Sequence, residues 1–334
     1  MILVSKMKIL TIFTGGTIGC SSFDGVLSPD KANSYLLLNT YLKSHTGVDF
    51  TPAQPYTILS ENLNGNNLTD LYNCISSYNL DDFDGVIVTH GTDTLQYTAS
   101  YLSYCFGYSK TPIVLVSANF PLTDDRSNGY INFCSAVDFI KSGNHNGVFI
   151  SYKNSSESFT NIHRASRALP HLPYTDEVCS IFNSVYGRVE NGVFYRNENY
   201  FESTDDKAFV CNPKLDECSD ILYVKMYAGI CFPEITEDVK AILLEGYHSG
   251  TLNTSSHTLH KFCKKASDMN IPVFLTGTCE GFNYESKELF TKLNINILPS
   301  ASPIAMYMKL WLLEKSDIKN VFLSYGGDFT ATDR

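Results

Sequence analysis

Apolar and polar positions fall into blocks along this chain. Lys8–Phe13 (KILTIF) and Val86–Val88 are apolar runs of the kind shown by strands buried on both faces. Ile113–Val116 and Gly147–Tyr152 repeat that signal. Helical spacing marks Lys31–Ser44, Asn66–Tyr78, the stretch with Tyr97, Tyr101 and Leu102, and a segment starting near Ile131. Tyr56–Leu59 reads as a further strand, and Ser184–Tyr195 as a hairpin turning at Glu190-Asn191-Gly192. The pattern resumes at Ile221 with strands at Ile221–Lys225, Ala241–Glu245 and Val273–Thr276. Helices are expected at His257–Asp268, Ser286–Leu293 and Ile304–Lys315, the last carrying Trp311. Strands alternating with helices predict an α/β fold of two domains. A larger N-terminal domain with a mostly parallel sheet flanked by helices is expected over residues 1–195, and a smaller parallel α/β domain over 220–334. The polar, aperiodic stretch 196–219 is the expected linker.

Composition narrows the class of partner. Of 334 residues, 43% are hydrophobic and 18% charged, as in soluble chains that bury a sizeable core. A net charge of -10, with no basic run, argues against nucleic acid or an anionic membrane as the main partner. The N-terminal apolar run is broken by Lys6 and Lys8 and merges into the first strand, unlike a signal peptide. No stretch approaches the ~18 apolar residues of a membrane span, and the scattered cysteines fit free thiols in a reducing cytoplasm, so a cytoplasmic protein is expected. The ten cysteines include no CxxC pair and point to neither a metal site nor a disulfide framework.

The chemistry gathers at two strand ends. After Gly85–Val88 come His90-Gly91-Thr92-Asp93-Thr94 and then a helix, so hydroxyls and a carboxylate sit at a strand-to-helix junction. Ligands of open α/β sheets collect at that end of the strands, and the helix N-terminus adds exposed N–H groups. Thr92 can serve there as nucleophile or proton relay and Asp93 as an anchor for an amine; a Thr or Asp ahead of a helix also serves as a simple cap. The first strand ends in a second such arrangement, Thr14-Gly15-Gly16-Thr17-Ile18-Gly19, whose glycines allow a sharp turn and close approach to a ligand.

Together TGGTIG and HGTDT resemble the bacterial-type L-asparaginases, more the cytoplasmic, type I branch than the periplasmic one. The resemblance continues through Pro112–Phe133, Ala241–Asn253 and the tail Leu323–Asp333, and so spans nearly the whole chain. It implies hydrolysis of L-asparagine to L-aspartate and ammonia, with Thr14 as primary nucleophile and Thr92 and Asp93 as a second element. It implies that Ser60 and Glu61 hold the α-carboxylate and α-amine, that Asp93 also binds substrate, and that Ala118 contacts the substrate amide through its carbonyl. It also implies a homodimer or homotetramer and no cofactor. Cys279 matches a position near the effector site of some type I enzymes, and His248 falls in a loop that helps close a neighbouring subunit's site.

Two of the family's five usual catalytic positions depart from its pattern. Where the family flap carries a tyrosine, this chain has Gly25-Val26-Leu27, with Ser21, Ser22 and Ser28 as the nearby hydroxyls. Counted without gaps from Gly147, the relay lysine falls on Arg164, which can pair with Asp93 and stabilise negative charge but cannot readily give up a proton. On that reading turnover is slow, and His163 is the neighbouring candidate base. Arg126-Ser127-Asn128-Gly129 reads as a structural turn. The competing classes are an amino-acid sensor without fast turnover and a hydrolase of another amide, such as glutamine.

Overall fold

The computed structural model describes residues 6–16, 18, 20–23, 26–29, 31–203, 209–278 and 286–330. In chain order the elements are β1 (Met7–Phe13), β2 (Cys20–Phe23), β3 (Val26–Pro29), α1 (Lys31–Ser44), β4 (Val48–Ala53), α2 (Gly65–Ser76), β5 (Gly85–Thr89), α3 (Leu95–Phe106), β6 (Ile113–Val116), α4 (Gly129–Ser142), β7 (Val148–Tyr152) and β8 (Thr160–Arg164). They continue as β9 (Gly187–Glu190), β10 (Val193–Arg196), β11 (Ile221–Lys225), β12 (Ala241–Glu245), α5 (His257–Asp268), β13 (Val273–Thr276), α6 (Ser286–Lys292), β14 (Ile295–Ile297) and α7 (Pro303–Leu312). The larger sheet has the order β10-β9-β8-β7-β6-β5-β1-β4. Its segment from β4 through β7 is parallel, and β8, β9 and β10 add on antiparallel. The smaller sheet, β11-β12-β13-β14, is parallel throughout, and β2 and β3 form a separate hairpin.

Alternation along the strands builds the layers. In β5, Val86 and Val88 join the core formed with α2, α3 and α7, whereas Ile87 joins the core under α1 and α4. In β12, Leu243 faces the first of these cores, and Ile242 and Leu244 face a third one covered by α5. The core between the two sheets is therefore shared. Strands buried on both faces need no polar side, which is why β1, β5, β6 and β7 read as continuous apolar runs.

One expectation changes. Tyr56–Leu59 is not a strand: it makes a single bridge, Gly15 to Ile58. The strand beside β1 is instead β4, whose exposed positions and Pro52 hid it. The hairpin at Asn191-Gly192 forms with both residues at positive φ, 51° and 77°, as a tight primed turn requires.

Candidate active site

The connections after β1 and β5 leave on opposite faces of the sheet, toward α1 and α3 respectively. Those strands are neighbours, with Phe13 opposite Thr89, so the carboxyl ends of β1 and β5 form the switch point where open α/β sheets open a crevice. Thr14 and Thr92 both leave the sheet there. Thr14 is buried and donates its Oγ1 hydrogen to the Thr89 carbonyl at 2.7 Å, which leaves the oxygen lone pairs directed away from that bond.

A third segment closes on these two. Ile58 N donates to Thr14 O at 3.1 Å and Gly16 N to Ile58 O at 2.9 Å, which brings Ser60 to the β5 turn. Gly91 is pressed against both neighbours: a Cβ there would overlap the Ser60 side chain, and a Cβ on Gly16 (φ +72°) would overlap the Gly91 backbone. Ser60 Oγ donates to Asp93 Oδ2 at 3.2 Å, and Thr94 Oγ1 donates to Ser60 O at 2.8 Å. The helix α3 starts at Leu95 with no side-chain cap, so the Asp93 carboxylate is engaged by Ser60 and not by the helix end. Glu61 is exposed beside Ser60, and Ala118 is buried beyond the end of β6.

His90 behind the turn is buried between the Gly91 carbonyl (Nδ1, 2.8 Å) and Thr98 Oγ1 (Nε2, 2.8 Å). Burial lowers its pKa to about 4, so it is neutral and holds the turn in place. The amides of Gly91, Thr92 and Asp93 donate to no acceptor among the described residues. Free N–H groups at a helix start are what a developing oxyanion needs.

Arg164 is not brought to this site. β8 runs antiparallel to β7, and Arg164 pairs with Phe149 near the start of β7, away from the carboxyl ends of the parallel strands. Its guanidinium donates to Asn146 O at 2.8 Å, lies 3.5 Å from Glu202 and stacks 4.6 Å above the Phe149 ring. The ungapped count could not see the reversal of direction between β7 and β8. His163 is wholly buried, with Nδ1 2.8 Å from Ser180 Oγ and a pKa lowered to about 3 by burial, so it does not line the cavity. Thr17, Gly19, Gly25 and Cys279 lie outside the described residues, as do the side chains of Ser21, Ser22, Val26, Leu27 and Ser28.

Beside Thr92 and Asp93 a cavity of about 690 Å³ opens, lined also by Asn119, Arg126, His171 and Asp176. Asn119 Nδ2 and Tyr152 OH both donate to the Asp176 carboxylate. On the Thr14 side the Tyr56 hydroxyl is buried and faces Thr14 without a well-formed hydrogen bond. Burial raises its pKa, so it stays a phenol. The sequence held no signal for a site role of Tyr56, whose segment reads as a strand, or of His171 and Asp176, which sit in an irregular segment without periodicity. Asn128 was legible as a turn: it exchanges hydrogen bonds with Asn119 and donates to Lys153 O, joining the ends of β6 and β7.

Residues 8–172 match the family model described as Asparaginase, N-terminal. The chain is 27% identical over 312 residues to a subunit of the glutamyl-tRNA(Gln) amidotransferase of Methanobrevibacter smithii, covering 90% of this chain and 67% of that protein. It spans about two thirds of the length of the amidotransferase subunits it matches. It is 26% identical over 286 residues to L-asparaginase 1 of Escherichia coli, covering 83% of this chain and 81% of that one. The thermostable L-asparaginase from Thermococcus kodakarensis has the same fold, with a TM-score of 0.76 over 97% of this chain and 100% of that chain, at 20% identity. The matched segment contains the whole β1–β5–Ser60 convergence, and the chain belongs to the bacterial-type asparaginase family.

Proposed function

We propose that the chain hydrolyses the side-chain amide of a small amino acid, L-asparagine first, to the acid and ammonia. The observation that carries this reading is the meeting of Thr14, Ser60 and Thr92–Asp93 at one switch point, with unfilled amides and a cavity beside them. Thr14 Oγ1 attacks the amide carbon, the amides near Thr92 hold the oxyanion, and the threonine's proton passes to the amide nitrogen as the C–N bond breaks and ammonia leaves. Water then cleaves the acyl–threonine ester. Ser60 and Glu61 take the α-carboxylate and α-amine, with Asp93 as a second anionic partner of the amine and the Ala118 carbonyl on the amide.

A second reading draws on the relatives that are subunits of a glutamyl-tRNA(Gln) amidotransferase. On it, the same threonine chemistry supplies ammonia to a partner protein rather than to solution. Steady-state ammonia release from asparagine, glutamine and peptidyl amides, beside calorimetric binding of aspartate, tests the hydrolase reading. Release from asparagine by the chain alone is expected. Aspartate binding with no release from any amide would overturn hydrolysis by the isolated chain in favour of a sensor or a partner-dependent subunit.

A further inference from the structure

We propose that His171 is the proton acceptor for the Thr92 arm of the site, a role that rests on the hydrolase reading above. The side chain lines the same cavity as Thr92 and Asp93. Its Nε2 is buried and has no hydrogen-bond partner among the described residues. An imidazole nitrogen enclosed beside a nucleophile's cavity and left unpaired is an energetic liability unless a ligand or a proton uses it. Its ring packs edge-on to Tyr152 at 5.5 Å, which fixes its plane.

The loop that carries it is clamped at its base. Ser166 Oγ donates to Gly326 O at 2.8 Å, and Arg167 donates to the carbonyls of Gly327, Phe201 and Phe329. Ser302 Oγ holds Ala168 O at 2.7 Å, and Leu169 N bonds Cys179 O at 2.8 Å, closing the segment between them. Asp176, from the same segment, is held by Tyr152 and Asn119 and faces the ring.

The charged and titratable groups around His171 are Asp176 in its own loop, Asp93 from the β5–α3 turn, His163 from β8, Tyr152 from β7 and Arg126 on the cavity wall. Burial lowers the His171 pKa, while Asp176 and Asp93 oppose that shift. The imidazole is therefore neutral at pH 7 and ready to accept a proton, which an arginine is not.

Thr92 and His171 line one cavity but are not hydrogen-bonded at rest; in the hydrolytic half they close, and a water at Thr92 loses a proton to Thr92 Oγ1 as that group's own proton passes to His171 Nε2. The water oxygen bonds the acyl carbon, the acyl–Oγ1 bond to Thr14 breaks, and the proton returns along the same path to the departing Thr14 oxygen. The net change is one water divided between the new carboxyl group and the restored threonine hydroxyl.

The test is the pH profile of ammonia release by the full chain and its variants. Wild-type kcat should fall on the acid side with a midpoint below the ordinary histidine value of about 6.5. His171→Gln should lower kcat by ~10²–10⁴-fold with KM nearly unchanged and should lose that acid limb. Added imidazole should restore part of the rate to His171→Ala, which a merely structural role would not allow. Asp176→Asn removes a charge that favours the imidazolium, so the acid limb should move to lower pH; this variant serves if those at His171 do not fold. Wild-type rate and an unchanged limb in His171→Gln, or an unmoved limb in Asp176→Asn, would overturn the role of His171 while leaving the hydrolase reading intact. A wild type that releases ammonia from no amide would instead remove the hydrolase reading, and His171's role with it.

Discussion

Thr14 and Thr92 are the same residue type, yet their surroundings assign them different work. Thr14 is enclosed, donates its hydrogen to a strand carbonyl and faces a phenol, whereas Thr92 stands at the wall of a cavity beside an imidazole. On the proposed hydrolysis, the Tyr56 phenol facing Thr14 would take the place of the tyrosine that the flap sequence lacks. Tyr56→Phe should lower kcat by at least ~10-fold with little change in aspartate affinity, as followed by ammonia release and calorimetry. Arg164 works elsewhere, so Arg164→Lys should leave kcat within about twofold. It should reduce stability by ~1 kcal/mol in urea, because lysine cannot reproduce the planar stack on Phe149 while reaching Asn146 O. The slow turnover expected from an arginine in the relay position therefore no longer follows. The threonines, Ser60 and Asp93 were legible because short motifs place them at strand ends. His171 was not, because an irregular loop brings it to the cavity beside Thr92 from far along the chain.

Among the strands and turns, the site depends on how closely β1, the β5 turn and the Ile58–Ser60 segment can approach. Gly16 sits at φ +72° with no room for a Cβ against the Gly91 backbone. Gly16→Ala should therefore push the two threonine loops apart, abolishing measurable turnover and lowering the melting temperature; wild-type kinetics would show that this contact is not needed. The strands that carry the site announce themselves as unbroken apolar runs because both faces are covered. β4 (VDFTPA) escaped notice because an edge strand with exposed positions and a proline carries no such signal, and β14 because it has three residues. Tyr56–Leu59 has β-rich composition, yet its backbone bridges the Thr14–Gly16 turn at one point only, so it serves to deliver Ser60.

Across the molecule, the two sheets share one core, and a buried Lys309–Asp328 pair at 2.7 Å ties α7 to the tail that receives Arg167. The larger sheet and its helices also enclose three histidines in the neutral state, His90 and His145 with pKa values of about 4 and His163 at about 3, each lowered first by burial. Unfolded, these rings would take up protons below about pH 6.5, which the native state refuses until about pH 4 or lower. Stability should therefore be full above pH 6.5 and fall by on the order of a few kcal/mol as the pH drops through that window, read from urea midpoints. A midpoint that stays level from pH 7 to pH 4 would contradict the enclosed, neutral rings.

Everything proposed for the reaction turns on a threonine at the β1–β5 switch point carrying the acyl group. Acid quench of the reacting chain followed by peptide mass spectrometry reads that ester itself. During turnover of L-asparagine, the peptide containing Thr14 should gain the mass of an aspartyl ester, with more of it in His171→Gln, where ester hydrolysis is slowed. Thr14→Ala should show neither the adduct nor ammonia release. Full-rate ammonia release by Thr14→Ala, with no acylated peptide in the wild type, would rule out Thr14 as the nucleophile.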